Sequence, residues 1–166
     1  MATVGAGFAI PSLAATHPMR RHLQDHARVA AADAMASAGA KPEFLGAEQF
    51  ETLVSIAERV LPGSTAARVA PFIDQLLAVD THDNQQAFLS ALVALEGGSV
   101  ERLTQASNEK PAAASEPPTL RDRFEHLKGW IVGAYYSSEI GMRELGWTGN
   151  VFYAGFPGCE HPGGHG

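Results

Sequence analysis

The sequence predicts an all-α fold: an irregular bundle of about five or six helices with an extended aromatic, Gly- and Pro-rich C-terminal tail. Three observations predict it. Apolar residues recur at intervals of three and four in several windows, which is the period of a helix with one buried face. No stretch of useful length alternates apolar and polar residues, as a half-buried strand would. Pro or Gly stands where the periodic windows end, where helices stop. With 166 residues, of which 45% are hydrophobic, the chain is long and apolar enough for one domain with a sizeable core.

In chain order, residues 18–38 (PMRRHLQDHARVAAADAMASA) are rich in helix formers, with Pro18 suited to a first turn and Gly39 and Pro42 as stops. Met19, Leu23, Ala27, Ala30, Ala34 and Met35 make a weak apolar face, so a peripheral helix is expected. Its His22 and His26 stand four apart, but no third ligand is signalled, and two solvated histidines are expected. Residues 47–61 (AEQFETLVSIAERVL) form the clearest amphipathic helix. Phe50, Leu53, Val54, Ala57, Val60 and Leu61 lie on its buried face, Glu48, Glu51, Ser55, Glu58 and Arg59 mostly on the other, and Pro62-Gly63 ends it.

Residues 71–79 (PFIDQLLAV) start at a Pro and turn Phe72, Ile73, Leu76 and Leu77 to the core. Residues 83–96 (DNQQAFLSALVALE) follow, with Phe88, Leu89, Leu92, Val93 and Leu95 as core residues, His82 on the surface before them, and Gly97-Gly98 after. Residues 104–118 (TQASNEKPAAASEPP) lack large apolar groups and read as a loop. Thr119 then caps a helix, with Asp122 as its first-turn acid, and Leu120, Phe124, Leu127, Ile131 and Tyr135 run along one side.

That helix leads into WIVGAYYSSEIGMRELGWTGNVFYAGFPGC, residues 130–159. Such a tail is too apolar for water and too irregular to satisfy its own backbone, so a surface must receive it: the chain's own core or another polypeptide. Residues 2–15 (ATVGAGFAIPSLAA) resemble the apolar and cleavage regions of a secretory signal, with Ser12-Leu13-Ala14 as a small-x-small site. This divides the chain into a signal remnant over 1–16 and a helical domain over 17–166, whose tail is 139–166. The basic segment such a signal needs is expected upstream of Met1. Arg20-Arg21 cannot supply it, because they follow the apolar run. An oxidising periplasm is the expected compartment.

Several function classes are excluded or unsupported. The net charge of −6 gives no basic stripe for nucleic acid, and no apolar run would span a bilayer. One cysteine, Cys159, precludes an internal disulfide or a CxxCH haem site. There is no GxGxxG, P-loop, GxSxG or HExxH motif. Glu139 and Glu144 read as helix-end charges rather than a general acid and base, and Cys159, His161 and His165 as a tail rather than a metal site. No catalytic, cofactor-binding or metal residue is assigned.

Residues 133–150, GAYYSSEIGMRELGWTGN, followed by Gly155-Phe156-Pro157-Gly158-Cys159, resemble the C-terminal signature GYYTSEIGxRELGYxGN and Gly-Cys of the gluconate 2-dehydrogenase subunit 3 family. Phe50 to Pro62 resembles that family's EQFxTLxxIADRIIP-like opening. Ala70 to Leu76 resembles its V-P-E-F-I-D segment, with Pro71 one place nearer the Phe-Ile-Asp. The likeness spans roughly 44–159 and is weakest over 97–118. It implies a non-catalytic small, or gamma, subunit of a periplasmic FAD-dependent sugar, polyol or aldonate dehydrogenase. It also implies a large FAD-containing subunit of the glucose-methanol-choline oxidoreductase type and a multihaem cytochrome c carrying haem c. The complex would be peripheral to the inner membrane. Such small subunits carry the twin-arginine signal that escorts the folded flavoprotein across.

On this reading Tyr135, Tyr136, Glu139, Arg143, Trp147, Asn150, Phe152, Tyr153, Phe156 and Pro157 form the partner interface, because Tyr and Trp bury large area with a polar handle. The alternative is that Trp130 and Tyr135 pack inwards and only the portion beyond Gly146 meets the partner. Cys159 is expected to form a disulfide with the large subunit, the alternative being a Cys159–Cys159 homodimer. A different class of function, a stand-alone periplasmic helical sugar-binding protein, would use the aromatic tail as its site, but Asn150, Arg143 and Glu144 are the only polar groups near it.

Overall fold

The computed structural model describes residues 17–95, 99–113 and 116–147, and those residues form an all-helical fold with no strand among them. Among the described residues eight helices follow one another: α1 (Arg20–Leu23), α2 (His26–Ser37), α3 (Ala47–Val60), α4 (Val69–Ala78), α5 (His82–Ala94), α6 (Val100–Asn108), α7 (Leu120–Tyr136) and α8 (Glu139–Glu144). The long α7 is the hub, packing against α3, α4, α5, α6 and α8. Its buried side is Phe124, Leu127, Trp130, Ile131, Ala134 and Tyr135. Trp130 is fully enclosed and meets Phe88 of α5 edge to face, with centroids 5.7 Å apart. Burying a side chain of this size stabilises the fold by about 3 kcal/mol. No helix among the described residues is long and apolar enough to cross a membrane.

The expected single helix over 18–38 is broken in two. Asp25 accepts the Arg28 N–H at 3.1 Å and so gives α2 its own N-cap, while its own N–H donates to the His22 carbonyl at 2.8 Å. The break changes the face that packs: Ala32 and Ala36 are buried, whereas Leu23 and Met35 stand 39% and 46% exposed. The expectation of two solvated histidines fails at His22. It is fully buried against Trp130, and its Nε2 lies 3.0 Å from Asp80 Oδ2, with both side chains fully buried. His26 is exposed.

Residues 17–23 form a strap across α7. Met19 is fully buried beneath it. A Cβ on Gly129 would come within 2.9 Å of the Pro18 ring, and one on Gly133 within 2.7 Å of Met19 Sδ and 2.9 Å of the His17 ring. The two glycines, one helical turn apart, are the notch that seats the strap.

α3 begins with the Gln49 side chain accepting the Gly46 N–H at 3.0 Å. Leu53 and Ala57 are buried as expected, together with Ile56, which the expected stripe omits. Glu58, expected on the solvent face, clamps the following loop. It accepts from the Gly63 and Thr65 N–H groups at 2.8 and 2.9 Å and from Thr65 Oγ1 at 2.9 Å, and these bonds hold its carboxyl below the usual range. α4 buries Phe72, Ile73, Leu76 and Leu77 as expected, and Asp74 with them. The Asp74 carboxylate accepts the N–H groups of Glu43, Phe44 and Leu45 at 2.6, 3.2 and 2.8 Å, pinning the α2–α3 connection to α4. In α5 Phe88 and Leu92 are buried, but Val93, expected inside, is 60% exposed.

The expected loop over 104–118 is corrected by α6, which occupies its first residues. Ser99 Oγ accepts the Arg102 N–H at 3.1 Å and starts that helix; Ala106 is its one buried side chain. Thr119 and Asp122 form the expected capping of α7: the Asp122 carboxylate accepts the Thr119 N–H at 2.8 Å and also the Ala112 N–H at 2.9 Å, tying the shortened loop down.

Candidate interface at the α7–α8 corner

The first residues of the expected extended tail, 139–144, are helical and turn back on α7. Ser138 makes the corner. Its Oγ donates to the Tyr135 carbonyl at 2.6 Å and accepts the Gly141 N–H at 3.1 Å. Gly141 makes the close approach possible, since a Cβ there would stand 2.3 Å from the Tyr135 carbonyl oxygen. The far end closes as a Schellman motif: the Gly146 N–H donates to Arg143 O at 2.9 Å and the Trp147 N–H to Met142 O at 3.0 Å. Gly146 supplies the left-handed residue this needs, at φ +83°.

Tyr135 is the internal brace of the corner. It is only 1% exposed, packs edge to face on Tyr136 with centroids 5.3 Å apart, and its hydroxyl donates to Glu144 Oε1 at 2.8 Å. That bond, aided by burial and the Glu144 charge, raises the phenol above its ordinary pKa and keeps it a donor. The α3–α4 loop comes close on this side: a Cβ on Gly63 would lie 3.4 Å from Tyr135 Oη. Tyr135 therefore stands inside the chain, as the inward-packing alternative requires, and Trp130 with it.

Ile140 of α8, and Leu145 and Trp147 in the turn that follows it, are 37%, 66% and 42% exposed, and Tyr136 at the end of α7 is half-buried. Glu139 and Arg143, also exposed, pair with each other across one helical turn. Of the expected contact set, Glu139, Arg143 and Trp147 are exposed, Tyr136 is half-buried and Tyr135 is buried. Exposed Ile140 and Leu145 stand outside the expected set; their signal is apolar side chains on and just after a helix too short to bury both. Asn150, Phe152, Tyr153, Phe156, Pro157, Cys159, His161 and His165 lie outside the described residues, as does the segment 1–16. Among the described residues no three His, Cys, Asp or Glu side chains gather as metal ligands. No protein-family model, no curated protein and no solved structure matches this chain.

Proposed function

We propose that the chain is the non-catalytic small subunit of a periplasmic FAD-dependent sugar, polyol or aldonate dehydrogenase complex, of the gluconate 2-dehydrogenase subunit 3 kind. It stabilises the large flavoprotein subunit and escorts it across the inner membrane. One observation carries the reading: α8 is held firmly by Tyr135, Ser138 and Gly141, yet Ile140 on it and Leu145 and Trp147 just after it stand exposed to solvent. A rigid helix that leaves an aliphatic and aromatic edge uncovered suits a partner surface. The same segment carries the family-like signature and runs directly into the aromatic residues beyond 147.

The sugar-binding alternative is disfavoured by what the polar groups already do. Arg143 pairs with Glu139, and Glu144 accepts from Tyr135, so each is already partly engaged within the chain.

Co-expression of the tagged chain with the flavoprotein subunit, followed by affinity capture and flavin absorbance, tests the proposal. The intact chain is expected to capture the flavoprotein. Leu145→Asp with Trp147→Asp is expected to lower capture by about tenfold or more, while circular dichroism remains that of the parent. Absence of a flavoprotein from the intact chain's capture, or undiminished capture by the double variant, overturns it. Truncation after Ser138 is the harsher test, since it also uncovers Tyr135.

A further inference from the structure

The Arg20-Arg21 pair has no place in the interface just described. These residues sit on the strap, and they open onto a groove of about 390 Å³ together with His17, Gln24, Asn84 of α5 and His126 of α7. Arg20 and Arg21 are cationic, Gln24 and Asn84 are neutral amides, and no carboxylate lines the groove. In a chain of net charge −6 such a local excess of positive charge is unusual. Neither Arg20 nor Arg21 pairs with a carboxylate among the described residues. On the α7 side the His126 ring borders the groove, while its Nε2 is buried out of reach of solvent and without a hydrogen-bond partner, and burial pushes the imidazole towards its neutral form. Asp80 lies near Asn84, but its oxygens accept the Thr81 N–H at 2.6 Å and Asn84 Nδ2 at 3.1 Å and stand 3.0 Å from His22 Nε2.

The groove is also pre-organised. The strap that carries His17, Arg20, Arg21 and Gln24 is locked by the Gly129 and Gly133 notch, by buried Met19, and by the His22–Asp80 contact. Its cationic side chains project from a fixed backbone, which reduces the ordering cost of binding. Guanidinium groups favour phosphate because their planar fork matches its oxygens. The volume lies in the range of about 300–1,000 Å³ typical of small-ligand sites.

We propose that this groove binds a phosphate-bearing small anion, with Arg20 and Arg21 as the charge clamp against a wall formed by Asn84 of α5 and the His126 ring of α7. Because the clamp rides on the strap and the wall on α5 and α7, a bound anion ties the strap to the core.

The test uses the full chain and two probes. Inorganic phosphate is titrated by calorimetry and by amide chemical shifts, and flotation is measured with vesicles of phosphatidylglycerol against phosphatidylcholine. Phosphate is expected to bind with a dissociation constant on the order of millimolar or tighter, shifting amides of residues 17–24, 84 and 126. Arg20→Ala with Arg21→Ala is expected to weaken it by about tenfold or more, while Lys110→Ala, remote in sequence and outside the groove, leaves it unchanged. His126→Gln, which keeps a polar side chain on the wall, is expected to weaken it less than the arginine pair. Flotation with phosphatidylglycerol that is lost in the arginine double variant assigns the phosphate to a lipid headgroup; phosphate binding without flotation assigns it to a soluble ligand. If neither probe binds, or if both bind the double variant as well as the parent, the proposal fails. It does not depend on the partner surface of α8, whose variants are expected to leave phosphate binding intact.

Discussion

Asp74 shows how much a single residue decides here. A buried carboxylate is costly unless its charge is answered, and this one is answered by three backbone N–H groups from residues 43–45. None of the three amides is supplied by a helix, so without Asp74 they would be buried or half-buried donors lacking partners. Asp74→Ala is therefore expected to destabilise the chain by about 3 kcal/mol or more, read as a lower urea midpoint at unchanged slope. Asp74→Asn is expected to be intermediate, because an amide has one acceptor oxygen to offer instead of two. A loss within about 0.5 kcal/mol for Asp74→Ala would show that the loop finds other partners. Asp74 illustrates the limit of reading residues one at a time. The period of α4 marks Phe72, Ile73, Leu76 and Leu77 as core, and the structure agrees. An Asp on that same buried face looks like an exposed residue until the loop that needs it is placed 29–31 positions away. His22 is the same case: its partners Asp80 and Trp130 are far off in sequence, and a local pattern leaves it as a surface histidine.

Among the elements, those whose signals are local were legible and those built by tertiary contact were not. α3, α4, α5 and α7 follow from apolar period and punctuation, and the Thr119–Asp122 cap of α7 from two residues three apart. α6 was hidden because it buries only Ala106, so its period carries almost no apolar signal; Ser99 as N-cap is the cue that finds it. The break between α1 and α2 turns on Asp25 acting as a cap inside a run of good helix formers. α8 reads as tail because it is six residues long, with Gly141 inside it and Gly146 just beyond. Its stability comes instead from its seat on α7, and Gly141 is the point of closest contact. Gly141→Ala places a methyl group against the Tyr135 carbonyl oxygen at 2.3 Å, and backbone cannot yield as a side-chain tip can. The expected outcome is that α8 lifts off while the bundle stays folded. Amide exchange at Met142–Trp147 should rise, the Tyr135–Glu144 bond should be lost, and stability should fall by about 1–3 kcal/mol. Unchanged protection of those amides in Gly141→Ala would mean that the corner has room the geometry does not suggest. Flavoprotein capture should fall with the same substitution, since the apolar edge would no longer be held in place.

For the whole molecule, the proposed function asks how a small subunit would keep hold of a larger one through α8 and the residues beyond it. A patch of Ile140, Leu145 and Trp147 is modest, and an interface of small area dissociates on dilution by mass action. A covalent tie removes that dependence. Cys159 is the chain's one cysteine. Gly155, Pro157, Gly158, Pro162 and Gly163 around it are poor material for a buried niche, and a free thiol exposed in an oxidising compartment reacts. Together with the proposed partner, this argues for an interchain disulfide between Cys159 and the large flavoprotein subunit, formed after the aromatic residues have docked. Non-reducing electrophoresis of the purified complex is expected to show a band at the summed mass of the two subunits that reductant resolves into both. Cys159→Ser should abolish that band and make capture fall with dilution, while leaving circular dichroism and phosphate binding unchanged. A band at twice this chain's mass would instead establish a Cys159–Cys159 homodimer. Migration at the chain's own mass with and without reductant, with Cys159→Ser as dilution-resistant as the parent, would leave the apolar edge and the aromatic segment to hold the complex alone, and the disulfide proposal would be wrong.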